Sequence, residues 1–180
     1  MTGRLLVATP PLVDPNFDRT VVFVLEHNQD GALGVVINRP SDEDSLPGRL
    51  GDWLDRSDEP RCLFSGGPVE LDGLIGLGLG RQPGDARWSE IVPGVGTVDL
   101  AVEVHEWPIP LRAFRMFRGY AGWGSGQLEG EVLANAWIIT DVRTEDLFHS
   151  QPDTLWRSVL RRQSGSTAWL ANFPRDISLN

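Results

Sequence analysis

The sequence predicts a single-domain α+β fold, and three observations predict it. Runs of β-branched and aromatic residues, bounded by Gly, Pro and Asn/Asp turn signals, recur as far as residue 142. The clear amphipathic helical pattern comes after them, at residues 154–163. The chain has 180 residues, 41% of them hydrophobic and 23% charged, which is one domain's length with enough apolar mass for a core. No internal repeat, linker or low-complexity tract divides it, so the domain is expected to span residues 1–180.

Residues 5–9 read as a short buried strand ended by Pro10 and Pro11. Residues 19–27 (RTVVFVLEH) are almost continuously apolar, as a central strand is. The turn Asn28-Gln29-Asp30-Gly31 supplies a glycine for positive φ, and residues 32–38 (ALGVVIN) return as the hairpin partner. A polar loop with three consecutive acids, Asp42, Glu43 and Asp44, follows. Leu50, Trp53 and Leu54 stand at i, i+3 and i+4 and predict a short helix. Residues 61–64 predict a strand, broken by Gly66-Gly67-Pro68. Residues 71–79 (LDGLIGLGL) are apolar but hold three glycines, which predicts a bent or closely approached strand.

Residues 84–96 are loop-rich with room for one short strand, and residues 97–105 predict another. Over residues 111–120, Phe114, Met116 and Arg118 alternate with Arg115, Phe117 and Gly119, a strand pattern. A glycine-rich connection then leads to a short helix over 127–134 and a strand over 136–142 (AWIITDV). Thr144 is the expected cap of a helical turn carrying Glu145 and Asp146, and Asp153 the cap of the helix over 154–163. Leu155, Trp156, Val159 and Leu160 form that helix's apolar face, with Gly165 as its stop and an irregular tail beyond.

Charge narrows the chemistry. Twenty-five acids face sixteen bases, a formal −9, and every base is Arg. Without Lys there is no Walker A phosphate loop, no Schiff-base chemistry and no Ser–Lys hydrolase. The first 90 residues carry −7 and the rest −2, so neither half offers the basic surface of a non-specific DNA binder. A lone Cys62 excludes an intramolecular disulfide and any multi-thiolate metal site. The opening residues are too short an apolar run for a secretory signal, and no run reaches a membrane-spanning length. The expectation is a cytoplasmic protein with no membrane contact.

Catalytic motifs fail on inspection. Around Gly124-Ser125-Gly126, a nucleophile elbow needs glycines where Trp123 and Gln127 stand. Gly76-Leu77-Gly78 starts a dinucleotide fingerprint that ends on Arg81 instead of Gly. His27, His105 and His149 lack i+4 partners, and no metal or other cofactor is expected. Three segments retain two readings each. In Asn38-Arg39-Pro40, Arg39 grips an anionic group or cross-links loops. Gly66-Gly67-Pro68-Val69 is an anion-binding nest or a tight turn. Residues 118–131 (RGYAGWGSGQLEGE) hold five glycines around Tyr120 and Trp123, so the backbone approaches a ligand or another strand. Gln127 and Glu131, four apart, share a helix face.

GYAGWGSGQLEGE, the opening GRLLVATPPLVDPNFDRTVVFVLEHNQDGALGVVINRP, the central FSGGPV and the closing FPRDISLN together resemble the AlgH/YqgE family of bacterial proteins. The match runs from Gly3 to Asn180, departing only in detail: Thr20 replaces an expected Ser, and Ser125 a common Pro. The resemblance implies a single α+β domain with a large coiled mixed β-sheet and peripheral helices. The family bears the label of transcriptional regulator, from genetic association rather than a molecular activity, and has no agreed catalytic residues. The motif positions Asn38, Arg39, Gly66, Gly67, Tyr120, Trp123, Gln127 and Glu131 are the candidates for a shared pocket.

Four functions compete on this sequence, one of them a purely structural or assembly role. The favoured one is a non-enzymatic regulatory or binding protein with a small-molecule or protein partner. Direct DNA binding would have to use Arg157, Arg161 and Arg162, against the acidic charge. An enzyme of unrecognised type would use Glu131 or His27 as its acid or base in the glycine-rich pocket.

Overall fold

The computed structural model describes residues 1–12, 14–80, 84–107 and 110–174. Its frame is a curled sheet whose first strands are β1 (Arg4–Ala8), β2 (Val21–Asn28) and β3 (Gly31–Val36). β2 pairs antiparallel with both neighbours and is buried from Val21 to Leu25, which is why its sequence is apolar on both faces. β4 (Phe64–Ser65), β5 (Val69–Leu79), β6 (Trp88–Val92), β7 (Val95–Val98), β8 (Ala113–Gly124) and β9 (Trp137–Asp141) complete it. Across the sheet the order is β6-β7-β5-β8-β3-β2-β1-β9, with β4 parallel to β8 and every other described pairing antiparallel. That one parallel pair makes the sheet mixed.

β8 is where the curl is set. Its Ala113–Arg118 half pairs with β5, and its Ala121–Gly124 half pairs with β3. The glycine-rich run is therefore strand as far as Gly124, with Gly126 capping the helix that follows and Gly130 inside it. At Gly119 (φ 65°) a Cβ would sit 2.6 Å from the Gly67 carbonyl oxygen, so the glycines admit neighbouring backbone. Arg115 lies in the same strand with no exposed surface and donates to the carbonyls of Glu59, Leu147 and His149. Burial pulls its pKa down to about 10.

Helices cover both faces: α1 (Gly48–Asp55), α2 (Gln127–Leu133), α3 (Thr144–Leu147) and α4 (Pro152–Arg161). Strand alternation divides the core. Leu5, Val7, Val21 and Phe23 pack under Leu155, Trp156, Val159 and Leu160 of α4. Leu6, Ala8, Val22 and Val24 face the other way, toward Trp123, Trp137 and Leu128 of α2. A third cluster gathers Trp53 and Leu54 of α1 with Phe114 and Met116. Among the described residues, no helix is long and apolar enough to cross a membrane.

Several elements differ from expectation. The strand expected over 97–105 stops at Val98, because Asp99 Oδ1 accepts from the Ala101 N–H and turns the chain. The carbonyls beyond are taken by α1, with Trp53 Nε1 donating to Val102 O and Arg49 to Leu100 O. A 3-10 turn, Val104–Glu106, follows. The expected 61–64 strand shrinks to Phe64–Ser65. α4 begins at Pro152, ahead of the expected cap Asp153, since proline presets φ for the first helical position. Arg143, not Thr144, caps α3, its N–H bonded to Asp146 Oδ2 at 2.8 Å. The tail forms a 3-10 helix, Gly165–Asn172, and the closing motif's residues 175–180 lie outside the described residues.

Candidate functional site

A cleft of about 750 Å³ opens between α4 and the loops that flank β2 and β3. Arg19, just before β2, and Asn38, Arg39 and Pro40, just after β3, form one wall; Ser65 of β4 contributes to it. Asp153, Thr154, Arg157, Ser158 and Arg161 of α4 form the opposite wall, with Trp156 beneath. Amphipathicity places them there: α4 buries Leu155, Trp156, Val159 and Leu160, so its polar ladder at 153, 157 and 161 must face outward.

Asn38 is a brace. Its Oδ1 accepts from the Val21 N–H at 2.8 Å and its Nδ2 donates to Arg19 O at 2.9 Å, clamping the chain on both sides of Thr20. The clamp holds Arg19 in a left-handed conformation, φ 52°, which a non-glycine residue adopts only under constraint. The Arg19 guanidinium lies 4.8 Å from the Trp156 ring centroid and donates to the carbonyls of Phe173 and Pro174. Arg39 donates to three carbonyls, Asn16 at 2.6 Å, Asp18 at 3.1 Å and Pro15 at 3.2 Å. It thus cross-links loops while lining the cleft. Burial lowers its pKa against the opposing pull of Asp18 and Asp14.

Arg157 and Arg161 are exposed and make no hydrogen bond or ion pair with the described residues. Arg162 leaves the basic patch, because it forms a two-pronged bridge to Asp146 at 2.7 Å and caps Asp141 O at 2.9 Å. Among the described residues, the lining therefore holds four Arg against two acids, Asp18 and Asp153, with hydroxyls from Ser65, Thr154 and Ser158. No His or Cys is among these lining residues, and no cluster of metal-ligating side chains occurs among the described residues.

Of the motif residues, only Asn38 and Arg39 are among those lining this cleft. Gly66 and Gly67 are packed against backbone: a Cβ on Gly67 would lie 2.2 Å from Tyr120 C and O, and one on Gly66 2.3 Å from Gly119 O. The Gly66 N–H is bonded to Arg118 O at 2.8 Å, so it is not offered to an anion as a nest would require. Gly67 does line a smaller crevice beside the cleft, and Arg39 and Ser65 line both.

Tyr120 packs with the α4-side core and Trp123 with the opposite one, as an odd spacing along a strand dictates, and both also line a separate shallow crevice with Gly122 and the β2–β3 turn. Burial, then the neighbouring Glu70, raise the Tyr120 pKa. Gln127 and Glu131 do share a face, with a 2.9 Å hydrogen bond from Gln127 Nε2 to Glu131 Oε1. Glu131 Oε2 also accepts from the indoles of Trp123 at 2.9 Å and Trp137 at 2.7 Å. Its carboxylate is a structural tie between α2, β8 and β9. His27, the other acid/base candidate, bridges Glu129 at 2.7 Å and the Met1 amine at 2.9 Å.

Sequence reasoning missed Arg19, Thr154 and Ser158 as cleft residues. The available signal was the i, i+4, i+8 ladder of Asp153, Arg157 and Arg161 on the polar side of the predicted helix.

Comparison with known proteins gives a consistent picture. The family model described as AlgH-like matches residues 5–168. A UPF0301 protein of Streptomyces coelicolor is 45% identical over all of this chain and 95% of its own length. One from Thermobifida fusca is 43% identical, again over all of this chain and 96% of its own. Among solved structures, a protein from Corynebacterium diphtheriae matches with TM-score 0.86 at 25% identity, covering 95% of this chain and 91% of that one. The AlgH protein from Pseudomonas aeruginosa matches with TM-score 0.71 at 27% identity, covering 96% and 94%.

Proposed function

Since the chain belongs to the AlgH-like family, we propose that this member is a cytosolic binding protein that holds an anionic small molecule in the α4 cleft. The observation that carries the proposal is local charge: four Arg face two acids in a cleft of a protein whose net charge is −9. Concentrating positive charge in one concavity, against an acidic background, is how a surface selects a small anion. Asn38 and Arg39 keep a role in this reading, as the brace and the fixed wall of the site.

Any regulatory output would come from ligand occupancy rather than from DNA contact. With Arg162 committed to Asp146, two exposed Arg on α4 are too few for the phosphate contacts that non-specific duplex binding needs.

Calorimetric titration of the whole chain with inorganic pyrophosphate tests the proposal. Binding is expected, weakening as salt is raised. The double variant Arg157→Ala/Arg161→Ala should weaken it by about tenfold or more. Equal affinity in the double variant would place the site elsewhere on the molecule.

A further inference from the structure

Granted that the α4 cleft is a ligand site, its lining narrows the ligand beyond a simple anion. The two walls have different duties. The guanidiniums of Arg19 and Arg39 are committed to backbone carbonyls, so they contribute charge from fixed positions. Arg157 and Arg161 have no such commitment among the described residues. They stand one helical turn apart, about 6 Å along the axis, and offer two planar donor forks. Ser158 lies between them in sequence and brings a hydroxyl to the lining, as Ser65 does from the other wall, whereas Thr154 Oγ1 already donates to Gln151 O at 2.9 Å.

A guanidinium fork fits carboxylate and phosphate alike, but two forks joined by the Ser65 and Ser158 hydroxyls present donors in different directions, and a tetrahedral oxyanion with three or more oxygens takes these up more fully than a flat carboxylate. The two acids impose a further condition. Asp18 and Asp153 already offset part of the cleft's charge, so a monoanion gains little there and a ligand with several negative charges gains more. Among the described residues the cleft also lacks a stacking platform: the one aromatic in its lining, Trp156, is 2% exposed and has the Arg19 guanidinium over its ring.

We infer that the cleft takes a small metabolite bearing two phosphate groups and no nucleobase, gripped by Arg157 and Arg161 against the wall formed by Arg19 and Arg39. This rests on the anion-binding reading of the same cleft. No bond is made or broken. The ligand is held, and its charge is matched by the surplus of Arg.

A calorimetric ladder on the full chain tests this, with a hexose bisphosphate, pyrophosphate, citrate, ADP and an acidic peptide as probes. The bisphosphate should bind at least about tenfold more tightly than citrate, and ADP no more tightly than pyrophosphate. Arg157→Ala/Arg161→Ala should abolish the preference with an unchanged unfolding midpoint, both residues being exposed. Arg157→Lys/Arg161→Lys should restore only part of it, because Lys keeps the charge but loses the fork. Citrate binding as tightly as the bisphosphate would overturn the phosphate assignment while leaving an anion site. ADP binding above pyrophosphate, or the peptide above every small probe, would also overturn it. Binding of none of the five would remove both this inference and the reading beneath it.

Discussion

Two indole N–H groups converge on one carboxylate oxygen at Glu131, and this contact separates a structural role from a catalytic one. Glu131→Leu strands both donors beside Phe17, which stacks on Trp123 and meets Trp137 edge-on, and should cost about 2 kcal/mol, read by urea unfolding. Ligand affinity at the α4 cleft should not change, and a stable variant that loses binding would contradict the assignment. Asp85 gives a second residue-scale test. Hydrogen bonds from the Arg87 side chain, at 2.6 and 2.8 Å, are the main cause that lowers its pKa to about 2. A carboxyl depressed in the folded state contributes stability at pH above its ordinary range and loses that contribution as pH falls toward 2. A carbon-detected titration should find that low midpoint, and Arg87→Ala should return it toward the ordinary carboxylate range. At this scale the sequence was partly legible. The four-residue spacing gave the Gln127–Glu131 face correctly, but Trp137 reaches Glu131 only because α2 folds back over β8 and β9, which no local spacing encodes.

Among the elements, the β2–β3 hairpin was readable because everything that makes it is local: β-branched strands, a polar turn and Gly31 at its end. α4 was readable for the same reason, its apolar face recurring at helical spacing. The 97–105 segment was not, because its strand propensity loses to a side-chain turn at Asp99 and to Trp53 reaching Val102 O from α1. The glycine-rich segment posed the choice between a close ligand and a close strand. In the fold, Gly67 and Gly119 bring the start of β5 against β8. Gly67→Ala places a methyl 2.2 Å from Tyr120 backbone atoms at φ 152°, so β5 and β8 would have to separate there. The expected loss is about 3 kcal/mol, with an earlier thermal transition and faster amide exchange in β8. A variant as stable as the parent would mean that the strands are not held this closely.

Across the whole molecule, uneven charge links the fold to the proposed function. The sheet and α4 bring Arg19 and Arg39 from the first quarter of the chain opposite Arg157 and Arg161 from its last quarter. Neither half is basic in sequence, so the cleft's surplus of Arg arises only on folding. That is why the charge count argued against a broad DNA-binding surface and was silent about a small anion site. The central claim is that this cleft, rather than the glycine-rich face, receives the ligand. Backbone amide NMR during titration with inorganic pyrophosphate tests it most directly. Shifts should concentrate at Arg39, Ser65 and residues 153–161 and leave residues 119–131 in place. Shifts centred on Tyr120, Trp123 and Gln127, with α4 unmoved, would contradict the account.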